Sequence, residues 1–348
     1  MDINLLSEEN VKKYVLPYYD LQNADINRIK FKNTEKQRAV YKVDHSGKSY
    51  CLKKVYFDEA ELLFVYSAVE WLYRNNINVP RILATNNHGR FVKYENMLFI
   101  LTPWILGEKC NYDSINDVIA AISNLSHMHN ASRNFSPISG SSIRKNFEHI
   151  SLSFQKHLNQ LLNCSNLAFH HDDNFSELFM ENFDENYILA EISSKISQTI
   201  DYDKLHSSLC HLDYVNKNII FDSSRNIWII DFDKCTTAHC SHDISYFLRR
   251  FLKRTNTNWN LDYAEACLEA YEENSPLNLD DYKYIISYLS FPQKFWKISR
   301  DYYNNITKCN HNSFFYILKK TSDNTAAQLE FIIQFGKYVE KKFNTMLK

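Results

Sequence analysis

The sequence predicts an α+β fold in two parts, and three observations predict it. Before residue 103 the pattern reads as short strands with one helix, and beyond it as mostly helices. The third is size: 348 residues, 45% of them hydrophobic, exceed one ordinary core and carry enough apolar material for two.

The strands come first, over residues 25–31, 39–44 and 49–55. The last two are joined across His45-Ser46-Gly47-Lys48, which suits a hairpin turn. Over 58–74, Leu62, Val65, Val69 and Leu72 recur at spacings of three, four and three, one stripe of a helix. Pro80 lies past its end. Residues 81–84 and 97–102 read as two more strands, completing a five-stranded lobe with one helix. Pro103-Trp104-Ile105-Leu106-Gly107 reads as the connector, so the expected parts are 1–102 and 103–348.

A helix is expected over 114–132, with Asp113 or Ser114 as N-cap, and residues 135–142, containing Pro137 and Gly140, break it. Amphipathic stretches at 143–162 and 175–200 flank the polar loop His170-His171-Asp172-Asp173. Residues 205–233 change character. An apolar segment at 209–214 precedes two short strands, 219–222 and 227–231, around Ser223-Ser224-Arg225-Asn226. From Ser241 onward the pattern is helical.

Composition removes several function classes. Lys and Arg number 40 against 41 Asp and Glu, with no long basic block, so bulk nucleic-acid binding is not expected. No apolar run approaches the roughly 18 residues of a membrane span. The first residues, MDINLLSEENVKKYVLPYYD, lack a basic start and an apolar core, so cytoplasmic synthesis is expected. The eight cysteines never form C-x-x-C and are expected reduced and mostly buried. Glycine numbers only 5, where average usage of about 7% would give roughly 24. No G-x-S-x-G elbow exists, which disfavours a serine hydrolase of that type.

The most informative stretch is His211-Leu212-Asp213-Tyr214-Val215-Asn216-Lys217-Asn218, followed by strand, turn, strand and Ile230-Asp231-Phe232-Asp233. Phosphoryl transfer needs metal ions on the β- and γ-phosphates and a carboxylate that orients the attacking hydroxyl. An Asp in a tight loop, an Asn five residues on and a second Asp at the end of a hairpin offer oxygen groups of that kind, and oxygen donors suit Mg²⁺. Chance alone would give H-x-D-x₄-N in about one such chain in 25. The added D-F-D after the hairpin makes chance a poor account.

This segment resembles the catalytic segment of the aminoglycoside phosphotransferase and choline kinase superfamily, relatives of protein kinases. The resemblance implies a two-lobed protein kinase-like fold, with an antiparallel N-lobe and a helical C-lobe, using ATP and Mg²⁺. It implies Asp213 as catalytic base, with Asn218 and Asp231 as metal ligands. Lys53, ending the third strand, matches the lysine on the α- and β-phosphates, with Lys54 on the opposite face. The following helix should donate a glutamate to it; Glu61 is the first choice, with Glu59 and Glu70 open. Residues 98–104, Thr102 and Trp104 among them, correspond to the hinge that meets adenine.

A narrower resemblance covers nearly the whole chain and is to the CotS family of bacterial spore coat proteins. It is carried by Leu101-Thr102-Pro103-Trp104-Ile105-Leu106-Gly107, Leu125-Ser126-His127-Met128-His129-Asn130-Ala131-Ser132, Asp243-Ile244-Ser245-Tyr246-Phe247-Leu248-Arg249, and Phe291-Pro292-Gln293-Lys294-Phe295-Trp296-Lys297 leading to Tyr302-Tyr303-Asn304. It implies synthesis in the mother cell and deposition in the spore coat. The acceptor is then a sugar, an amino sugar, another small alcohol or a coat component, with residues 143–200 shaping its pocket and other coat proteins as partners.

Two departures favour a second reading, a catalytically inactive assembly protein on the same fold. The loop between the first two strands, residues 32–38, contains no glycine, though Lys36 and Arg38 offer charge to phosphate. The usual H-G-D is H-L-D, with Leu212 in the tight loop. A third reading, metal binding by Cys235, His239, Cys240 and His242, has poor spacing. Asp243 is expected to start a helix or brace the catalytic loop, as its family counterpart does.

Overall fold

The computed structural model describes residues 3–32, 38–147 and 149–347. Helix α1 (Glu8–Tyr14) is capped by Ser7, whose hydroxyl accepts from Asn10 N–H at 3.2 Å. Strands β1 (Asp25–Lys32), β2 (Arg38–His45) and β3 (Lys48–Lys54) follow. Helix α2 spans Glu59–Arg74, and Leu62, Val65, Val69 and Leu72 are all buried on it, as their spacing predicts. A reciprocal capping box of Asp58 and Glu61 starts α2. Then come β4 (Val92–Tyr94), β5 (Met97–Pro103), β6 (Glu108–Lys109), α3 (Ile115–Ala131), β7 (Lys145–Asn146), α4 (Ile150–Ala168), α5 (Asn174–Glu181) and α6 (Phe183–Gln198). The remainder is β8 (Ser207–Cys210), β9 (Ile219–Phe221), β10 (Ile227–Ile229), β11 (Thr236–His239), α7 (Cys240–Leu252), α8 (Leu261–Glu272), α9 (Leu279–Ser290), α10 (Gln293–Asn304), α11 (His311–Ser322) and α12 (Thr325–Phe343).

The chain divides into two compact units. The first comprises residues 1–110, 127–145 and 216–237, and the second 111–126, 146–215 and 238–348. In the first, an antiparallel sheet runs β1-β2-β3-β5-β4. Alternation along β2 sends Ala39, Tyr41 and Val43 inward, where they join Leu52, Phe99, Leu101 and the N-terminal Leu6, Val11 and Leu16. Lys53 therefore points to the opposite face from Leu52. A second sheet, β10-β9-β6, belongs to the same unit. Its close approach explains one glycine: a Cβ on Gly107 would stand 2.2 Å from the Phe221 carbonyl oxygen.

The fourth strand of the expected five is corrected. Residues 81–84 form no strand; they meet β5 through Leu83 N–H to Leu101 C=O at 2.8 Å, after Pro80, which has no N–H to donate. β5 is instead flanked by β4, turned by Glu95 and Asn96, both left-handed at φ 48° and 60°. That turn carries no glycine, so its signal was weak.

The second unit is helical around a core in which Phe154, Phe175, Phe179, Phe291, Phe295 and Tyr302 pack together. Ser114 is the cap of α3, its hydroxyl accepting from Asp117 N–H at 3.3 Å. The stretch expected as helix from 143 becomes helical only at Ile150, and that expected over 175–200 is two helices, α5 and α6, parted at Asn182. Among the described residues, no helix is long and apolar enough to cross a membrane.

Candidate active site

The first unit brings Lys53, Asp231 and Asp233 together. The Lys53 ammonium lies 2.5 Å from Asp231 Oδ1 and 2.7 Å from Asp233 Oδ1. Burial of the amine works to lower its pKa, but Asp233 and then Asp231 outweigh it and hold Lys53 protonated well above the ordinary lysine value. Both aspartates arrive by way of the β9–β10 hairpin, whose register pairs Ile219 with Ile229. Its open end, away from the turn, is fastened by Ile230 N–H donating to the Asn218 carbonyl at 2.9 Å, so Asn218 lies beside the segment that leads into Asp231. Asp231 is left-handed at φ 68°, a conformation that Asp tolerates better than most residues.

Asp233 Oδ2 is buried and has no hydrogen-bond partner among the described residues. An uncompensated buried carboxylate oxygen is costly. Asp231 and Asp233 supply carboxylate oxygens and Asn218, beside the segment that leads into Asp231, carries an amide oxygen; oxygen donors are what hard divalent cations prefer, so these residue types fit Mg²⁺.

The expected glutamate partner of Lys53 is not found. Glu61 closes the capping box of its own helix and lies 3.4 Å from Arg144 Nη2. Glu59 pairs with Lys93 at 3.1 Å, and Glu70 holds Arg81 through two bonds of 2.8 Å. Lys53 is already satisfied by two carboxylates, and Glu61 has a nearer cation.

Arg144 was not anticipated. Its Nη1 donates to the carbonyls of Asp233 at 3.0 Å and Cys235 at 3.3 Å, so one guanidinium ties Glu61 to the backbone that follows Asp231. Its only signal was a lone arginine in a stretch read as loop and helix start.

Thr102 pairs in register with Cys51, and Trp104 N–H donates to Ser49 C=O at 3.0 Å. Alternate residues of an antiparallel strand direct their backbone groups to opposite edges. Trp104 N–H thus faces β3, whereas the carbonyl of Leu101, which accepts from Leu83, faces the other edge, as does that of Pro103. Of the glycine-free loop, residues 33–37, including Lys36, lie outside the described residues; Arg38 sits 4.0 Å from the Tyr56 ring centroid.

Asp213 lies in the second unit, buried, in the loop after β8. The fully buried Asp243 carboxylate accepts from His211 N–H at 2.6 Å and Leu212 N–H at 2.8 Å, so it braces this loop. Leu212 is left-handed at φ 56°, which for a branched aliphatic residue costs about 1–2 kcal/mol. The two charge-assisted bonds to Asp243 hold it there. Asp213 N–H donates to His211 Nδ1 at 3.2 Å, and Tyr246 hydroxyl donates to Asp213 Oδ1 at 3.4 Å. Tyr246 was singled out only within a longer run, because helical spacing does not reveal which side chain reaches a distant loop.

Two members of the cysteine and histidine set near residue 240 are engaged with other side chains, while both ring nitrogens of His239 are buried without a hydrogen-bond partner among the described residues. His242 Nδ1 is 3.1 Å from Tyr284 hydroxyl, and Cys240 Sγ is 3.2 Å from Ser208 Oγ. All eight cysteines are free.

A model of the phosphotransferase enzyme family matches residues 32–277. Spore coat protein S of Bacillus subtilis is 21% identical over 303 residues, covering 85% of each chain. An aminoglycoside phosphotransferase of Alicyclobacillus acidocaldarius superposes with a TM-score of 0.78 at 19% identity, over 94% of this chain and 96% of that one. A spectinomycin phosphotransferase, solved with ADP and spectinomycin, gives 0.66 at 20% identity, over 92% and 96%.

Proposed function

Because the chain belongs to the phosphotransferase enzyme family, we propose that it transfers the γ-phosphate of ATP to a hydroxyl group. The observation that carries this reading is the Lys53–Asp231–Asp233 cluster with its unpartnered buried oxygen. Lys53 would hold the α- and β-phosphates by charge. Asp231 and Asn218, with Asp233, would hold Mg²⁺, which when bound neutralises charge on the β- and γ-phosphates. The Pro103 carbonyl, turned from β3, would meet the adenine edge, with Thr102 and Trp104 fixing that strand end. Asp213 would orient the acceptor hydroxyl. The hydroxyl oxygen forms the new bond to γ-phosphorus, the bond to the β–γ bridging oxygen breaks with its electron pair leaving on ADP, and the hydroxyl proton passes to Asp213.

The similarity to spore coat protein S supports association with the spore coat. The same reading takes synthesis to be in a mother cell and the acceptor to be a sugar, a small alcohol or a coat component. Leu212, held left-handed at φ 56° in the Asp213 loop, favours a second reading in which the same fold serves coat assembly without turnover.

Thermal unfolding of the purified protein with ATP, with Mg²⁺ and with both separates the two. A ligand that binds only the folded state raises the melting temperature, by about 2.7 kcal/mol of stability at 100 times its Kd. A Mg²⁺-dependent ATP shift that is lost in Asp231→Asn supports the phosphotransferase. No shift at millimolar ATP leaves the assembly reading.

A further inference from the structure

The last two turns of α7 carry cations that the proposed chemistry has not used. Tyr246, Arg249, Arg250 and Lys253 recur at helical spacing, so they share one side of α7. Arg250 Nη2 donates to Tyr246 hydroxyl at 2.9 Å, and that hydroxyl donates to Asp213 Oδ1. Arg249 Nη2 donates to Tyr288 hydroxyl at 2.8 Å and stacks over its ring at 4.1 Å, while Arg249 Nη1 is buried with no hydrogen-bond partner among the described residues.

Among the described residues neither arginine makes an ion pair, and Arg250 reaches a carboxylate only through Tyr246. Arg254, further along, shows the ordinary alternative, an ion pair with Asp113 at 2.8 Å. Although Lys253 is an exposed residue, desolvation of its ammonium, then Arg250, Arg249 and Lys294, push it down to about 8. Favourable placement of cations at a helix C-terminus accounts for basic residues in this turn. It does not account for the missing counter-charges or for the phenol link to Asp213.

We propose that the acceptor alcohol carries an anionic group, bound by Arg249 and Arg250 next to Asp213. This rests on the phosphotransferase reading. Planar guanidinium groups bind phosphate and carboxylate through paired N–H donors, and an amine-bearing acceptor would meet like charge. Tyr246 then acts as a positioning residue between the anion site and Asp213.

The test uses the full chain at constant ionic strength, with thermal shifts and calorimetric titration of glycerol 3-phosphate, glycerate, glycerol and choline. The two anionic alcohols should bind the wild type and inorganic phosphate should compete, whereas glycerol and choline should not bind. Arg249→Gln/Arg250→Gln should weaken glycerol 3-phosphate binding about tenfold or more. The single variant Arg250→Lys should retain part of it and guards against misfolding of the double one. Choline binding in place of the anions, no anion binding, or anion binding indifferent to the double variant overturns the inference. The Mg²⁺-dependent ATP shift is read on the same samples. If it is present and the anions fail, this inference falls alone; if it is absent and the anions bind, the phosphotransferase reading falls and the anion site stands.

Discussion

The lysine cluster of the first unit and the Asp213 loop of the second are stabilised by different means. At Lys53, opposite charges sit 2.5 and 2.7 Å apart and partly exposed, with Asp231 32% accessible, so the geometry depends on ions that a bound ligand can reorganise. At Asp213, the backbone itself is held in an unfavourable conformation by Asp243, whose side chain has no solvent exposure. Asp231, the accessible member of the ion cluster, can exchange partners at little cost while Lys53 and Asp233 stay largely buried, whereas a strained loop on a buried carboxylate is expensive to disturb. The first suits a site that exchanges a charged nucleotide, the second a group that must not move.

That contrast can be broken in order of expected effect. Asp213→Ala should lower acceptor-dependent ADP formation about 10²- to 10⁴-fold, measured by a coupled assay, while leaving the ATP thermal shift in place. An equal loss of the shift would mean that Asp213 serves the nucleotide. Asp243→Ala should cost about 3–5 kcal/mol in urea unfolding, because two buried N–H donors lose a charged acceptor. A cost below about 1 kcal/mol would show that the loop does not depend on this brace.

Asp231→Asn keeps a residue that tolerates φ 68° and removes one charge. It should abolish the Mg²⁺-dependent part of the ATP shift and change the stability of the ligand-free protein by no more than about 1 kcal/mol. A larger loss without ligand would place this cluster with the structural ion pairs. The smallest effect is expected at Leu212. Leu212→Gly relieves left-handed strain while losing side-chain contacts, so stability should stay within about 1 kcal/mol of the parent. Leu212→Ala, which retains the strain and loses the same contacts, should be the less stable of the two. The reverse order, usual at ordinary φ, would contradict the strained-loop account.

Local pattern carried much of this molecule. The stripe Leu62, Val65, Val69, Leu72 defined α2, and the turn at Ser46-Gly47 defined the β2–β3 hairpin. The motif running from His211 to Asp233 marked Asp213, Asn218 and Asp231 as candidates, but not as partners of Lys53. The same chain hid β4, because with few glycines its left-handed turns are made by Glu95, Asn96 and other residues that leave no compositional mark. Leu212 was visible as a departure from H-G-D, but its strain and its brace were not.

By itself, the sequence determined the α+β class, the order of most elements and the aspartates of the candidate site, because periodicity and motif spacing are local properties of the chain. Only the tertiary structure decided which charges meet. Lys53 took Asp231 and Asp233 rather than a glutamate of α2, Glu61 took Arg144, and the α7 arginines were left facing phenols. Such pairings depend on distances between segments far apart in the chain and on how strongly burial strengthens each charge, and neither quantity is written in local pattern.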